Sequence, residues 1–399
     1  MNKKVIVETI ETKVTDECDV FVLGGGIAGI SAALAAARQG KSVLLCEKSF
    51  ILGGLATSGL VTLYLPLCDG LGNQVSFGIA EELLRLSVKD WNNGQRGYKD
   101  WIQKENLPTE KSPRYEVDFN PHLFAIAAEQ LLIESGVKIL YGTMVVSAIK
   151  DGKKIQTVIL ENKSGRQGVN AKSFVDASGD CDLAYFSNTS TVNFKQGNVL
   201  AAWYYFLQNG EYYLNMLGFC DIPDKDKKPN NQVKQLINKR FFGLSADELS
   251  QMTVMSHKSM YNDMLRRISK NNECIPLTMP TIPQIRMTRR INGKYTLTNN
   301  DLGKHFDSSI GMVSNWKERG PVYEIPFEAL FNDETQNLIC AGRCISNDEY
   351  MWDIMRVIPC CAVTGEAAGT AAALSDNFNE IDIKALQNKL VENGVKLHI

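Results

Sequence analysis

Six residues, Gly24-Gly25-Gly26-Ile27-Ala28-Gly29, constrain this chain more than any others. They follow a short apolar run, Asp19-Val-Phe-Val-Leu, and open an Ala-rich stretch from Ile27 to Gln39 that Gly40 can close. A short apolar run ending in glycines reads as a buried parallel strand. The Ala-rich stretch reads as a helix with a glycine stop. Ser42 to Cys46 then reads as a second strand ending at Glu47. Strand, glycine turn, helix and strand within roughly 30 residues have the size of a βαβ unit. In that setting each glycine has a task. Gly24 permits the tight turn, Gly26 lets a pyrophosphate approach the backbone, and Gly29 lets the helix pack on the strand. The helix start at Ile27 and Ala28 offers free N–H groups and a positive dipole end to phosphates. Glu47, with Lys48 beside it, sits where a carboxylate can bind ribose hydroxyls.

The chain of 399 residues suits two domains, or one domain with another inserted. Its 44% hydrophobic content can fill a sizeable core. A net charge of -2 gives no field to draw in nucleic acid or an anionic membrane, so neither is expected as a partner. The ten cysteines are scattered and form no CxxC pair, which reads as free thiols in a reducing cytosol. The histidines, His122, His257, His305 and His398, make no metal-spaced pair, so no metal is expected. The N-terminus has no apolar signal region, and the expectation is a cytoplasmic protein acting on a small molecule. A homo-oligomer is left open.

Residues 51–75 read as an extended loop over a ligand. Helical patterns follow near 79–90 and 121–135, the second with Asn120-Pro121 as cap and first turn. Val137–Tyr141, Val145–Lys150 and Lys154–Glu161 read as strands, the last two joined at Asp151-Gly152. The middle of the chain changes character: an aromatic segment Ala201–Leu207, a polar loop Asp224–Asn231, helical stretches near 231–241 and 246–270, and a Pro-rich strand region near 276–290. From Asn337 the first style returns, with a strand Leu338–Cys340 and a small-residue helix from about Pro359 to Leu374. The division is 1–190, an inserted unit 191–330, and a return 331–399.

Three further segments carry a resemblance. They are Gly53-Gly54-Leu55-Ala56-Thr57-Ser58-Gly59, Val175-Asp176-Ala177-Ser178-Gly179-Asp180, and Asn337-Leu-Ile-Cys-Ala-Gly-Arg-Cys-Ile-Ser346. With them the chain resembles the FAD-dependent oxidoreductase family of the glutathione reductase-like superfamily, over about residues 15–190 and 280–390. The glycines and small residues Gly54, Ala56 and Thr57 suit a loop packed flat against a flavin and its ribityl chain. The resemblance implies that the strand ending at Asp176, Ala177, Ser178 and Gly179 passes near the FAD. It implies that Gly342 meets the ribityl chain. The helix starting near Val357, Ile358, Pro359 and Cys360 would point its N-terminus at the pyrimidine ring. Val145 or Val146 would offer its backbone to the adenine. Many superfamily members carry Asp after Ala-Gly; this chain has Arg343, as the resembling subfamily tends to, and its role toward phosphate or substrate stays open.

Candidates for substrate chemistry are arginines. Arg286, Arg289 and Arg290 lie beside Tyr295 in what looks like the subfamily's Arg-Arg-Ile-x-Gly-x-Tyr segment. Alternation puts Arg286 and Arg290 on one strand face and Arg289 on the other, and a guanidinium can clamp a carboxylate at two points. Arg356, just before the flavin-facing helix, is the leading functional arginine. His305 is a candidate acid or base. Cys360 and Cys361 read as a packed pair of small residues at a helix start rather than a thiol relay, and Cys344 is a candidate reactive thiol near the flavin. The expected fold is α/β: a Rossmann-like FAD-binding domain on a parallel sheet, with an inserted mixed α+β substrate domain capping the isoalloxazine. The expected reaction is hydride transfer between a small organic substrate and flavin N5. Two alternatives are a flavin-binding electron-transfer subunit acting with a partner protein, and an NAD-dependent dehydrogenase without flavin.

Overall fold

The computed structural model describes residues 5–89, 116–218, 236–270 and 273–399. In chain order its main elements begin with β1 (Lys13–Leu23), α1 (Ile27–Arg38) and β2 (Val43–Cys46). Next come α2 (Ile79–Val88), α3 (Pro121–Glu134), β3 (Lys138–Leu140), β4 (Met144–Asp151), β5 (Lys154–Asn162) and β6 (Gly165–Asp176). The middle holds β7 (Ala202–Gln208), β8 (Glu211–Leu217), α4 (Ala246–Lys270) and β9 (Ile275–Thr278). The last group is β10 (Ser309–Ser314), β11 (Val322–Pro326), β12 (Leu338–Cys340), α5 (Glu349–Met355), α6 (Ile358–Leu374) and α7 (Ile383–Glu392).

A seven-stranded sheet runs β3-β2-β1-β6-β5-β4, with β12 also pairing with β6. Strands β3, β2, β1, β6 and β12 are parallel, whereas β4, β5 and β6 form an antiparallel meander. Strand β6 serves both neighbourhoods. Its first half, Gly165–Asn170, pairs with β5, and its last three residues pair with β12. The fold class is α/β, as expected. Local signals held where they were strong. Asn120 caps α3 by accepting from the N–H groups of His122 and Leu123, and β4 and β5 meet at Asp151 and Lys154.

Helix α6 is the spine of the core. Sixteen of its residues, Ile358 to Ala373, are buried. It packs against α1, α2, α7 and β10. The approach to α1 requires absent side chains: a Cβ on Gly365 would lie 2.3 Å from the Ala28 carbonyl oxygen, and one on Gly369 2.1 Å from that of Ala32. Among the described residues no single helix is long and apolar enough to cross a membrane; the bent pair α5–α6 passes only jointly, by length and composition.

Glu366 is the one acid on α6, and it is 1% exposed. Its Oε2 accepts from the Ile79 N–H at 2.8 Å, capping α2 from outside. Burial pushes its carboxyl up to about 8, against that hydrogen bond. An acid raised in this way contributes stability fully below its unfolded value, and loses it as pH rises through the folded one. Wild-type stability should therefore fall by a few kcal/mol between about pH 5 and pH 9, because each tenfold difference in proton affinity between folded and unfolded chain is worth ~1.4 kcal/mol. Glu366→Gln should flatten that slope. Urea unfolding of both proteins across the range checks this, and parallel slopes would reject it.

Strands β7, β8 and β9 form a separate antiparallel sheet, in the order β8-β7-β9, with α4 against β7. Leu297, Ile310, Val313, Tyr323, Ile325 and Phe327 instead join the large core cluster around α1 and α6. These residues fall within the span 191–330 yet pack in the core shared with the two ends of the chain. The helix expected near 231–241 is not formed over 236–241; 231–235 and the polar loop 224–231 lie outside the described residues. Phe241 is buried and exchanges both backbone hydrogen bonds with Asn198, at 3.0 and 2.7 Å. The Asn198 side chain also accepts from the N–H groups of Arg286 and Met287, so the extended pairing is locked from three sides.

Candidate functional site

Tight turns build the site from below. Gly24 adopts φ +97, and its N–H donates to the Cys46 carbonyl at 2.8 Å, tying the glycine turn to the end of β2. The second glycine segment folds back on the first: Gly53 N–H donates to Gly25 O at 2.7 Å. Glu47 orders both. One oxygen accepts from the Gly25 N–H at 2.7 Å, and the other from the Ser49 N–H and hydroxyl, each at 2.7 Å. At the end of β6, buried Asp176 organises the next turn. It accepts from the Ser178 hydroxyl at 2.6 Å and from the Ala184 N–H at 3.0 Å, while burial pushes its carboxyl up. The Gly342 N–H donates to the Thr364 hydroxyl of α6 at 2.9 Å, which anchors the turn after β12 to the helix it precedes.

These turns surround a cavity of about 660 Å³, inside the ~300–1,000 Å³ range of small-molecule sites. Two helices begin at its wall. The N-cap of α1 is Gly26 and that of α6 is Val357, and neither has a side-chain cap hydrogen bond. Ile27, Ala28, Val357 and Ile358 all line the cavity, so both positive helix ends open onto it. A Cβ at Gly26 would meet nothing within 4 Å, so the open space reaches the backbone where a phosphate would need to approach.

Of the residues expected from sequence, Gly24, Gly26, Ile27, Ala28, Glu47, Lys48, Gly54, Ala56, Ala177, Ser178, Gly179, Gly342, Arg343, Val357, Arg286 and Arg356 line this cavity. Six others lie outside it. Gly29 sits under the turn, where a Cβ would lie 1.7 Å from the Gly24 carbonyl oxygen. The Thr57 hydroxyl donates to the Leu52 carbonyl within its own loop. Val146 is the extra residue between the Val145–Leu160 and Ser147–Ile159 pairs of β4 and β5, a bulge away from the cavity. Cys360 faces the core, and Cys361, one helical step on, takes its place in the wall. Burial pushes the Cys361 thiol up to about 12 and the Cys360 and Cys344 thiols well above their usual value, so none is a ready thiolate.

The arginines separate. Only Arg289–Ile291 forms a strand, so the expected alternation does not extend back to Arg286. Arg286 lines the cavity, with its guanidinium 5.0 Å from the Trp203 ring centroid. Arg290 turns away and donates to the Ser346 hydroxyl at 2.9 Å. Arg289 donates to the Asp180 carbonyl at 3.0 Å and to Asp182 at 2.8 Å. Arg343 bonds the Ile285 and Arg286 carbonyls at 2.9 and 2.6 Å and lies 3.5 Å from Asp180. It therefore straps the Ile285–Arg286 segment onto the turn after β6. Arg356 pairs with buried Asp353, Nε to Oδ1 at 2.9 Å. His305 lies outside the cavity, facing Asp307 and Glu324.

One wall went unread in the sequence. Leu249, Ser250, Thr253, Val254 and His257 of α4 line the cavity. They lie beside the buried face Met252, Ser256, Met260. The i, i+4, i+8 spacing of Leu249, Thr253 and His257 was visible, but not which neighbour that face would meet.

The FAD dependent oxidoreductase family model matches residues 19–202 and 194–390. The chain belongs to that family. Its cofactor is FAD, and the nicotinamide alternative without flavin falls with that finding. A 129-residue stretch is 40% identical to 4-oxocyclohex-2-ene-1-carboxylate 5-dehydrogenase of Sinomonas cyclohexanicum, covering 28% of this chain and 21% of that protein. Over 170 residues the chain is 30% identical to digeranylgeranylglycerophospholipid reductase of Picrophilus torridus, covering 40% of this chain and 39% of that one. The chain thus spans no more than about two fifths of the length of these curated relatives. Among solved structures, a geranylgeranyl bacteriochlorophyll reductase-like protein of Thermoplasma acidophilum superposes with a TM-score of 0.42 at 13% identity, over 95% of this chain and 82% of that one.

Proposed function

We propose that this FAD-dependent oxidoreductase passes a hydride between a carbon of a small organic anion and the flavin. The observation that carries this reading is that one cavity joins two uncapped helix N-termini to a buried arginine and a helix of the inserted unit. When bound, FAD supplies the two-electron acceptor at N5, chemistry no side chain here can perform. Gly26, Ile27 and Ala28 would hold its pyrophosphate at the start of α1, and Glu47 its ribose. The start of α6 at Val357 and Ile358 would face the pyrimidine ring, stabilising negative charge there by at most ~2 kcal/mol.

The other wall would receive the substrate. Arg286 stacks near Trp203 and is 5% exposed, a setting in which a guanidinium recognises a carboxylate strongly. His257 of α4 lines the cavity and would exchange a proton with bound substrate. Leu55, Val61, Leu63 and Leu65 supply apolar surface that excludes water.

The purified protein should be yellow and release FAD on acid precipitation; a colourless protein that takes up no FAD would sink the reading. Anaerobic screening of small carboxylates for bleaching of the flavin absorbance would identify substrates. Arg286→Ala should then raise KM roughly 10- to 100-fold, the value of ~1.5–3 kcal/mol for a hydrogen bond to a charged group. An unchanged KM with a carboxylate substrate would remove Arg286 from the role.

A further inference from the structure

No two histidines are spaced as metal ligands along the chain, yet the fold brings His305 and His398 to one buried carboxylate. His398, in the segment after α7, reaches back 74 residues in sequence to Glu324, in the middle of β11, with Nδ1 3.0 Å from Oε2. His305 approaches from the loop before β10, with Nδ1 3.6 Å from Oε1. One ligand atom from each lies within 4.8 Å of the other two. Ligands on a tetrahedral zinc ion, at bonds of ~2.0–2.2 Å, stand about 3.4 Å apart. Small rotations of the exposed rings would close the difference.

We propose that His305, Glu324 and His398 bind a divalent transition metal of the zinc class. Two imidazoles and a carboxylate suit such an ion and leave a position for water. The side chains of His305 and His398 are 63% and 38% exposed, so that position opens to solvent.

The fold holds the carboxylate and His398. The Glu324 side chain is 3% exposed, and its Oε2 also accepts from the Phe306 N–H at 2.8 Å, which fixes the carboxylate. The second nitrogen of His305, Nε2, faces Asp307 at 3.5 Å. A carboxylate behind a ligating imidazole sets its tautomer and orientation. His398 is held in position: the Leu397 carbonyl accepts from the Ser309 hydroxyl at 2.6 Å, and Val395 and Leu397 are buried. None of the three ligands lines the flavin cavity, so the site is separate from the proposed chemistry. Its ion would clamp the segment after α7 onto the β10–β11 hairpin. The expectation of no metal rested on spacing along the chain, which does not register residues brought together by the fold.

The test is zinc titration of EDTA-stripped, FAD-loaded protein against a chromophoric chelator. Wild type should take up one equivalent that His305→Ala and His398→Ala lose. The loss in affinity should be at least the ~10- to 100-fold that outer-shell partners command, and Asp307→Asn should fall near the lower end. Cobalt in place of zinc should give a visible absorption band that vanishes in both histidine variants. FAD content should be unchanged throughout. His305 is exposed, so its variant carries the test even if His398→Ala proves unstable. Equal zinc affinity in wild type and His305→Ala, or no uptake above background, would overturn the proposal and leave a plain histidine–carboxylate cluster.

Discussion

Gly26→Val should give a folded protein that no longer holds FAD. Gly26 has φ -70 and ψ -179, extended backbone that a β-branched residue adopts readily. A Cβ there would touch nothing within 4 Å, so the fold has room for it. The room is that of the cavity, at the uncapped start of α1. Two branched methyl groups would occupy the space where phosphate must approach N–H groups. The loss in FAD affinity should reach about 100-fold or more, some 3 kcal/mol. The neighbouring glycines answer differently. Gly24 needs its left-handed backbone, and a Cβ there would lie 2.6 Å from the Ala177 carbonyl oxygen. A side chain at Gly29 would drive into the Gly24 carbonyl. Gly29→Val should therefore cost the fold itself. FAD titration followed by fluorescence, with circular dichroism melting of the apo-protein, separates the two outcomes. If Gly26→Val purifies with a full complement of FAD, the proposed phosphate site is wrong.

The second large effect is on stability. Asp353 is fully buried and bridges two cations, Arg356 and Lys317. Burial alone would push its carboxyl up, but the two positive charges outweigh that and hold it below its ordinary value. An acid lowered in this way contributes stability above its unfolded value and loses it as pH falls through the folded one. Asp353→Ala leaves two cations without their shared anion. Breaking a buried pair this way costs about 3–5 kcal/mol, a large part of a total of ~5–15 kcal/mol. Urea unfolding at neutral pH should show the loss, and Asp353→Asn should also remove stability that wild type surrenders only in acid. A variant within about 1 kcal/mol of wild type would show that the bridge contributes little. The outcome also governs how Arg356 is read. A drop in turnover in Arg356→Ala counts as substrate anchoring only if it exceeds the drop caused by Lys317→Ala, which strips the same aspartate from outside the cavity wall.

Arg343 shows where reading from sequence stopped. Its position after Ala-Gly was plain, and so was its departure from the usual aspartate. Its task was not: the guanidinium bonds the carbonyls of Ile285 and Arg286, nearly sixty positions earlier in the chain. The three-way split of Arg286, Arg289 and Arg290 was equally hidden, because a three-residue strand imposes no long alternation. Cys360 and Cys361 differ by one step of a helix, about 100° of rotation, which residue type could not settle in a helix buried all round.

The local signals were sound because local physics sets them. A glycine turn between an apolar run and an Ala-rich helix, an Asn-Pro cap and an Asp-Gly hairpin each act within a few residues. They yielded the βαβ unit, α3, the β4–β5 hairpin and the glycine-turn end of the cavity. The first half of β6, Gly165-Arg-Gln-Gly-Val-Asn, carries little strand propensity, and only pairing with β1 and β5 holds it extended. Likewise the α4 wall, the Arg343 strap and the histidine–glutamate cluster each join segments far apart in the chain. Nothing in a short window records such meetings. They are decided when burial of the common core brings those segments together.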